Sequence, residues 1–160
     1  MKRLINVLLI LFLFGCSDDV INWTTPNSLD QDFMNQINKH REEVNLTPLE
    51  FNPIFFEQAK RFAAQISDNP HMREQLTAEE EQNGNYRNVI KAQTNATSVS
   101  GCTGFSDGFN LDPTTGVVDA MLRVSCRNVI ESRNANTIGG AVFQNSNTGD
   151  YFYVTFIGRI

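Results

Sequence analysis

Three cysteines, two histidines and one tryptophan in 160 residues leave little material for several common chemistries. No C-x-x-C or H-x-x-x-H spacing occurs, so His40, His71 and the cysteines make no zinc signature. Neither histidine adjoins a serine or cysteine in a recognisable hydrolase motif. Basic residues are also in short supply, 13 against 18 acidic ones, and no basic stripe is visible. Such a field repels a polyphosphate, which excludes nucleic acid as a partner. No apolar run reaches the roughly 20 residues that cross a bilayer core. The longest, Leu4 to Phe14, is about half that.

That run follows Met1-Lys2-Arg3 and precedes Gly15-Cys16, and it reads as a secretory signal over residues 1–15. Leu13-Phe14-Gly15-Cys16 resembles the bacterial lipobox, with the bulky Phe14 in a slot that usually holds a small residue. The resemblance implies cleavage before Cys16 and its acylation by two or more chains, palmitate among them, enough for a stable anchor. The alternative is a secreted or membrane-held precursor with an unmodified Cys16. Removing the leader from 160 residues leaves 145, one domain with a real core. The leader takes two of the basic residues and no acidic ones, so 11 face 18 in the remainder. The expected location is the bacterial cell envelope, lipid-anchored on its periplasmic or outer side.

With Cys16 acylated, Cys102 and Cys126 are the thiols left on the oxidising side of the membrane, and a disulfide is their natural outcome. A reactive thiol at Cys126 and two inert buried cysteines are the other readings.

Residues 16–27 read as a polar tether whose Trp23 packs back on the body, followed by one domain over 28–160. Ser28-Leu29-Asp30-Gln31 forms a capping box, and Phe33, Ile37, His40 and Val44 recur along one helical stripe stopped by Asn45. Here His40 reads as a packed core histidine. Asn52-Pro53 opens a second helix with Phe55, Phe56, Ala59, Phe62, Ala63 and Ile66 inside, ended by Asp68-Asn69-Pro70. A polar helical turn or two runs from Thr77 to Gly84, its Glu79-Glu80-Glu81 read as a solvated face. Tyr86 to Ile90 reads as a short strand, and Ala92 to Gly116 as an irregular functional loop with Phe105 and Phe109 packed down. A helix over Pro113 to Ser125, capped by Asp112 or Thr114, carries Val117, Val118, Met121, Leu122 and Val124. The clearest β signal is last: Thr137–Gln144 and Tyr151–Ile157 flank the turn-rich Asn145 to Asp150, an antiparallel hairpin. This order gives an α+β fold with helices on the faces of a small sheet.

Several segments then resemble one family in order. Ile37-Asn38-Lys39-His40-Arg41 is similar to the "I/L-N-x-x-R" helix of the CAP superfamily of SCP-like domains, and Leu46 to Pro53 to its "L-x-P-L-x-W-N-x" turn. Ala59 and Ala63 sit where its second helix is small. Arg127, Ile130, Asn136, Ile138 and Gly139 fall at the spacing of "H-R-x-x-I-L-x-x-x-x-x-x-I-G", and Tyr151 to Phe156 match its final strand. The resemblance implies a three-layer α-β-α sandwich with a central antiparallel sheet and a groove on one side.

That groove in the family presents two histidines and two glutamates to a divalent metal. Carried over, the four positions become His71, Arg87, Thr114 or Thr115, and Cys126. One ligand survives, so no metal or other cofactor is expected unless Glu79, Glu80 or Glu81 swings in. A Cys102–Cys126 bond would then stand where a metal once tied the same elements together. The function this implies is a non-catalytic envelope lipoprotein, touching the membrane through its lipid and binding a protein, glycan or lipid through a groove near His71, Arg87 and Cys126. The enzymatic alternative is a hydrolase with His71 as base and Cys126 as nucleophile. A structural subunit docked to other envelope proteins through an apolar patch is a third possibility.

Overall fold

The structure, a computed structural model, describes residues 21–107, 114–124 and 126–160. The leader, Cys16, Phe109, Asp112 and Pro113 lie outside the described residues.

Helix α1 spans Ser28–Glu43. Its capping box sits one residue earlier than the sequence suggests: the Asn27 side chain accepts from the Asp30 amide at 2.9 Å, and Asp30 accepts from the Asn27 amide at 3.0 Å. Asn45 has the left-handed φ of 59° expected of a stop. Strand β1 (Glu50–Phe51) leads to α2 (Pro53–Asp68), where Asn52 accepts from the amides of Ile54 and Phe55 and Pro53 opens the first turn. A 3₁₀ turn (Pro70–Met72) passes into α3 (Arg73–Asn83), which starts a turn before Thr77 and ends at Gly84, whose φ of 64° suits glycine.

Two segments correct the sequence reading. Residues 86–90 are no strand; they belong to helix α4 (Asn85–Thr94), with Ile90 buried and Val89 exposed. The irregular stretch from Ala92 holds strand β2 (Ser98–Ser106). Its serines, threonines and glycines hide the strand, because the apolar partners that cover it come from elsewhere in the chain. Helices α5 (Thr115–Arg123) and α6 (Arg127–Ile130) follow, and Val124 is exposed just past the end of α5.

Strands β3 (Thr137–Gln144) and β4 (Tyr151–Arg159) form the expected hairpin. The sheet order is β1-β3-β4-β2. Pairings of β4 with β3 and β2 are antiparallel, whereas the two residues of β1 run parallel to β3, so the sheet is mixed. Alternation along β4 splits the core in two. Phe152, Val154 and Phe156 pack under α2, with Phe55, Phe62 and Ile90. Tyr153 and Ile157 face α1 and α5, with Phe33, Ile37 and Met121. The result is an α+β three-layer sandwich, helices on both faces of the sheet.

The two edges of that sheet differ. Where β1 ends, the Val142 amide donates to Asp30 Oδ1 at 2.7 Å and its carbonyl accepts from Lys60 Nζ at 2.7 Å. Lys60 and Asp30 are themselves paired at 3.0 Å and almost wholly buried. This pair bridges α1 and α2 and closes the β3 edge. Nothing in the sequence pattern singles out either residue.

Candidate functional site

The motif residues of α1 act on the fold. Asn38 exchanges hydrogen bonds with both the amide and the carbonyl of Leu49, at 2.9 and 3.0 Å, and so holds β1 against the helix. Arg41 is buried, and its guanidinium donates to the carbonyls of Thr47, Ile130 and Ser132. Burial lowers its pKa from the ordinary arginine value. His40, half-buried instead of packed in the core, lies 3.0 Å from Glu131, which also meets Arg127 at 3.5 Å.

A groove of about 480 Å³ opens beside β2. Thr103, Gly104 and Phe105 form its floor. One wall is α3, through Arg73, Glu74, Thr77, Ala78 and Glu81; the other is α5, through Val117, Ala120 and Met121. The Arg73 guanidinium stands 4.9 Å from the centre of the half-exposed Phe105 ring and joins α3 to the floor as a cation–π lip. Thr77 and Thr103 approach hydroxyl to hydroxyl at 3.4 Å. One wall is thus polar and the other apolar.

Cys102 and Cys126 are joined as a disulfide, with Cα atoms 5.5 Å apart. The bond ties the floor strand to the segment that follows α5. It also consumes the sulfur that a Cys126 nucleophile would need, and His71 stands exposed on the 3₁₀ turn; the hydrolase pairing is not assembled.

Arg87 borders a small cavity of about 30 Å³ together with Cys102, Glu80 and Phe62; Thr77, Glu81 and Thr103 border both this cavity and the groove. Glu80 is buried, not part of a solvated face. It receives the amides of Tyr86 and Arg87 at 3.0 and 3.1 Å and the Arg87 Nε at 3.2 Å. The Arg87 Nη2 donates to the carbonyls of Glu80 and Glu81. Beside this pair, burial first and the Glu80 charge second push the Tyr86 hydroxyl above its usual pKa, with Arg61 acting weakly in the other direction. Thr114 is buried at the start of α5.

A divalent metal does not fit these residues. Arg87 brings a fixed positive charge where the family resemblance implies a carboxylate, Glu80 is already paired with it, and the Cys126 sulfur is bonded. Among the described residues no three histidine, cysteine or carboxylate side chains gather around one point. Of the sequence candidates, Cys102, Cys126 and Arg87 come together near the groove, and His71 is absent from the described residues that line it. The α3 and α5 walls, Arg73 with Phe105 above all, were missed because polar and apolar wall residues far apart in sequence carry no shared motif.

No protein-family model matches the sequence, and no curated protein matches it. Solved structures do. An outer surface protein of Borrelia burgdorferi superposes with a TM-score of 0.58 at 16% identity, over 85% of this chain and 98% of that one. A cysteine-rich secretory protein of Staphylococcus aureus superposes with a TM-score of 0.54 at 15% identity, over 82% of this chain and 38% of that one. The chain therefore has a CAP-like fold.

Proposed function

We propose that the protein is a non-catalytic, lipid-anchored component of the bacterial cell envelope that binds a ligand through the groove between α3 and α5. The observation that carries the reading is the groove itself. It is open, one wall polar and the other apolar, and the neighbouring positions that would hold a metal are filled by a satisfied Glu80–Arg87 pair and a disulfide. A site of this kind recognises and has no group placed to attack. Fold alone narrows function poorly. The envelope location is supported by the leader and Cys16 and by the likeness to a protein described as an outer surface protein.

Two measurements test the reading. Metabolic labelling with a palmitate analogue should mark the wild-type protein and not Cys16→Ser, which should leave the membrane fraction; equal labelling of both removes the anchor. Ala120→Arg, which fills the groove from an exposed position on α5, should abolish binding to envelope extracts while leaving the circular dichroism spectrum unchanged. Undiminished binding removes the groove.

A further inference from the structure

The two sheet edges are treated in opposite ways, and the difference points to a ligand class. Val142 turns its amide and carbonyl away from β4, toward Asp30 and Lys60. Its partner Tyr153 must then direct its own main-chain groups to the other side, into β2, where it faces Gly104. Gly104 therefore spends its amide and carbonyl on β4. By strand alternation Thr103 and Phe105 turn theirs outward, away from the sheet. The Thr103 carbonyl lies 3.7 Å from Cys126 Sγ, which agrees with that direction.

Strand β2 ends the sheet, and among the described residues no strand pairs with its outer edge. Folded proteins blunt such edges with charge, proline or a covering element. At β3 this chain spends a buried ion pair for the purpose. Along Ser98–Ser106 it places neither a charged residue nor a proline, and Thr103 and Phe105 form the floor of the groove between α3 and α5.

We propose that an extended segment of a partner protein adds to β2 as a further strand, lying in the groove between α3 and α5. This rests on the groove reading above and names its ligand class. The bound segment would accept from the Thr103 amide, exchange main-chain hydrogen bonds with Phe105, and present successive side chains to opposite walls; the Thr103 carbonyl is already covered by Cys126 Sγ. Those toward α5 meet Val117, Ala120 and Met121 and are apolar. Those toward α3 meet Thr77 and the carboxylates of Glu74 and Glu81, with Arg73 engaged by Phe105, and are polar or basic. A second copy of this chain is the competing occupant, and the dimer outcome below separates it from a partner segment.

The test uses random heptapeptides displayed on phage and panned against the protein, with Ala120→Arg as counter-selection. Peptides alternating apolar with polar or basic residues should be enriched. A synthetic winner methylated on the amide nitrogens of one alternate set should bind at least about tenfold more weakly, the loss of one or two net hydrogen bonds. Methylation of the other set should change binding little, since a strand at an edge uses every second amide. Thr103→Pro removes an outward donor that the β2–β4 ladder does not use and should weaken binding to a similar degree. No enrichment overturns the proposal, as does a wild-type dimer that Thr103→Pro dissociates. If Ala120→Arg abolishes binding while methylation and Thr103→Pro do not affect it, the groove stands and strand addition falls. If Ala120→Arg also has no effect, both fall.

Discussion

Asp30 accepts from the Asn27 amide, the Val142 amide and Lys60, so one carboxylate starts α1, ends the exposure of β3 and neutralises a buried ammonium. Removing one member strands the other. Lys60→Met should cost about 3–5 kcal/mol of unfolding free energy in urea, and Asp30→Asn combined with Lys60→Met should cost less than Lys60→Met alone, because no charge is then left unpaired. Tyr86 offers a pH-dependent counterpart. Its hydroxyl donates to Gln65 at 2.7 Å and its pKa is raised in the folded state. Above about pH 10 the unfolded chain gives up this proton first, so the native state binds more protons and stability falls as pH rises. Tyr86→Phe should flatten that alkaline decline between pH 9 and 11, read by urea titration; an unchanged slope would show that the decline comes from other groups.

The elements divide by how far their determinants reach along the chain. Helix α2 was legible because Asn52-Pro53 and the phenylalanine–alanine stripe lie within one stretch, and the hairpin because β3 and β4 alternate on their own. Helix α4 reads as a strand in the sequence because Tyr86-Arg87-Asn88-Val89-Ile90 is too short to separate the two periods, and Glu80, which fixes its first turn, lies on another helix. Strand β2 is hidden in the sequence because its apolar cover comes from α5 on one face and α4 on the other, with Phe152 and Phe156 of the neighbouring β4 beside it. Packing of α2 on β3 requires Gly139, since a Cβ there would sit 2.0 Å from the Phe56 amide nitrogen. Gly139→Ala should therefore cost about 3 kcal/mol, the upper end of the usual overpacking range, measured by denaturation, because backbone and not a flexible side chain must yield. The disulfide closes a loop whose ends are 24 residues apart. On the chain-entropy model its reduction should lower stability by about 3.5 kcal/mol, and free thiols found at both cysteines in oxidised protein would refute the link.

At the scale of the whole molecule, the Glu80–Arg87 pair and the Cys102–Cys126 bond beside the groove predict what it ignores. Saturating zinc should leave the melting temperature unchanged, whereas true binding at 100 times Kd would add about 2.7 kcal/mol and raise it by several degrees. A zinc-dependent rise that disappears in His71→Ala would restore the metal reading. Fold class was readable from the sequence because hydrophobic period is a property of neighbouring residues, and the α1, α2 and hairpin patterns together admit little besides helices layered on a small sheet. Only the tertiary structure decided which strand lies at each edge, that Glu80 rather than solvent meets Arg87, and that Asp30 and Lys60 close β3 while no strand among the described residues pairs with the outer edge of β2. Those are pairings between residues tens of positions apart, and no local pattern encodes them, because their energy exists only once the layers have come together.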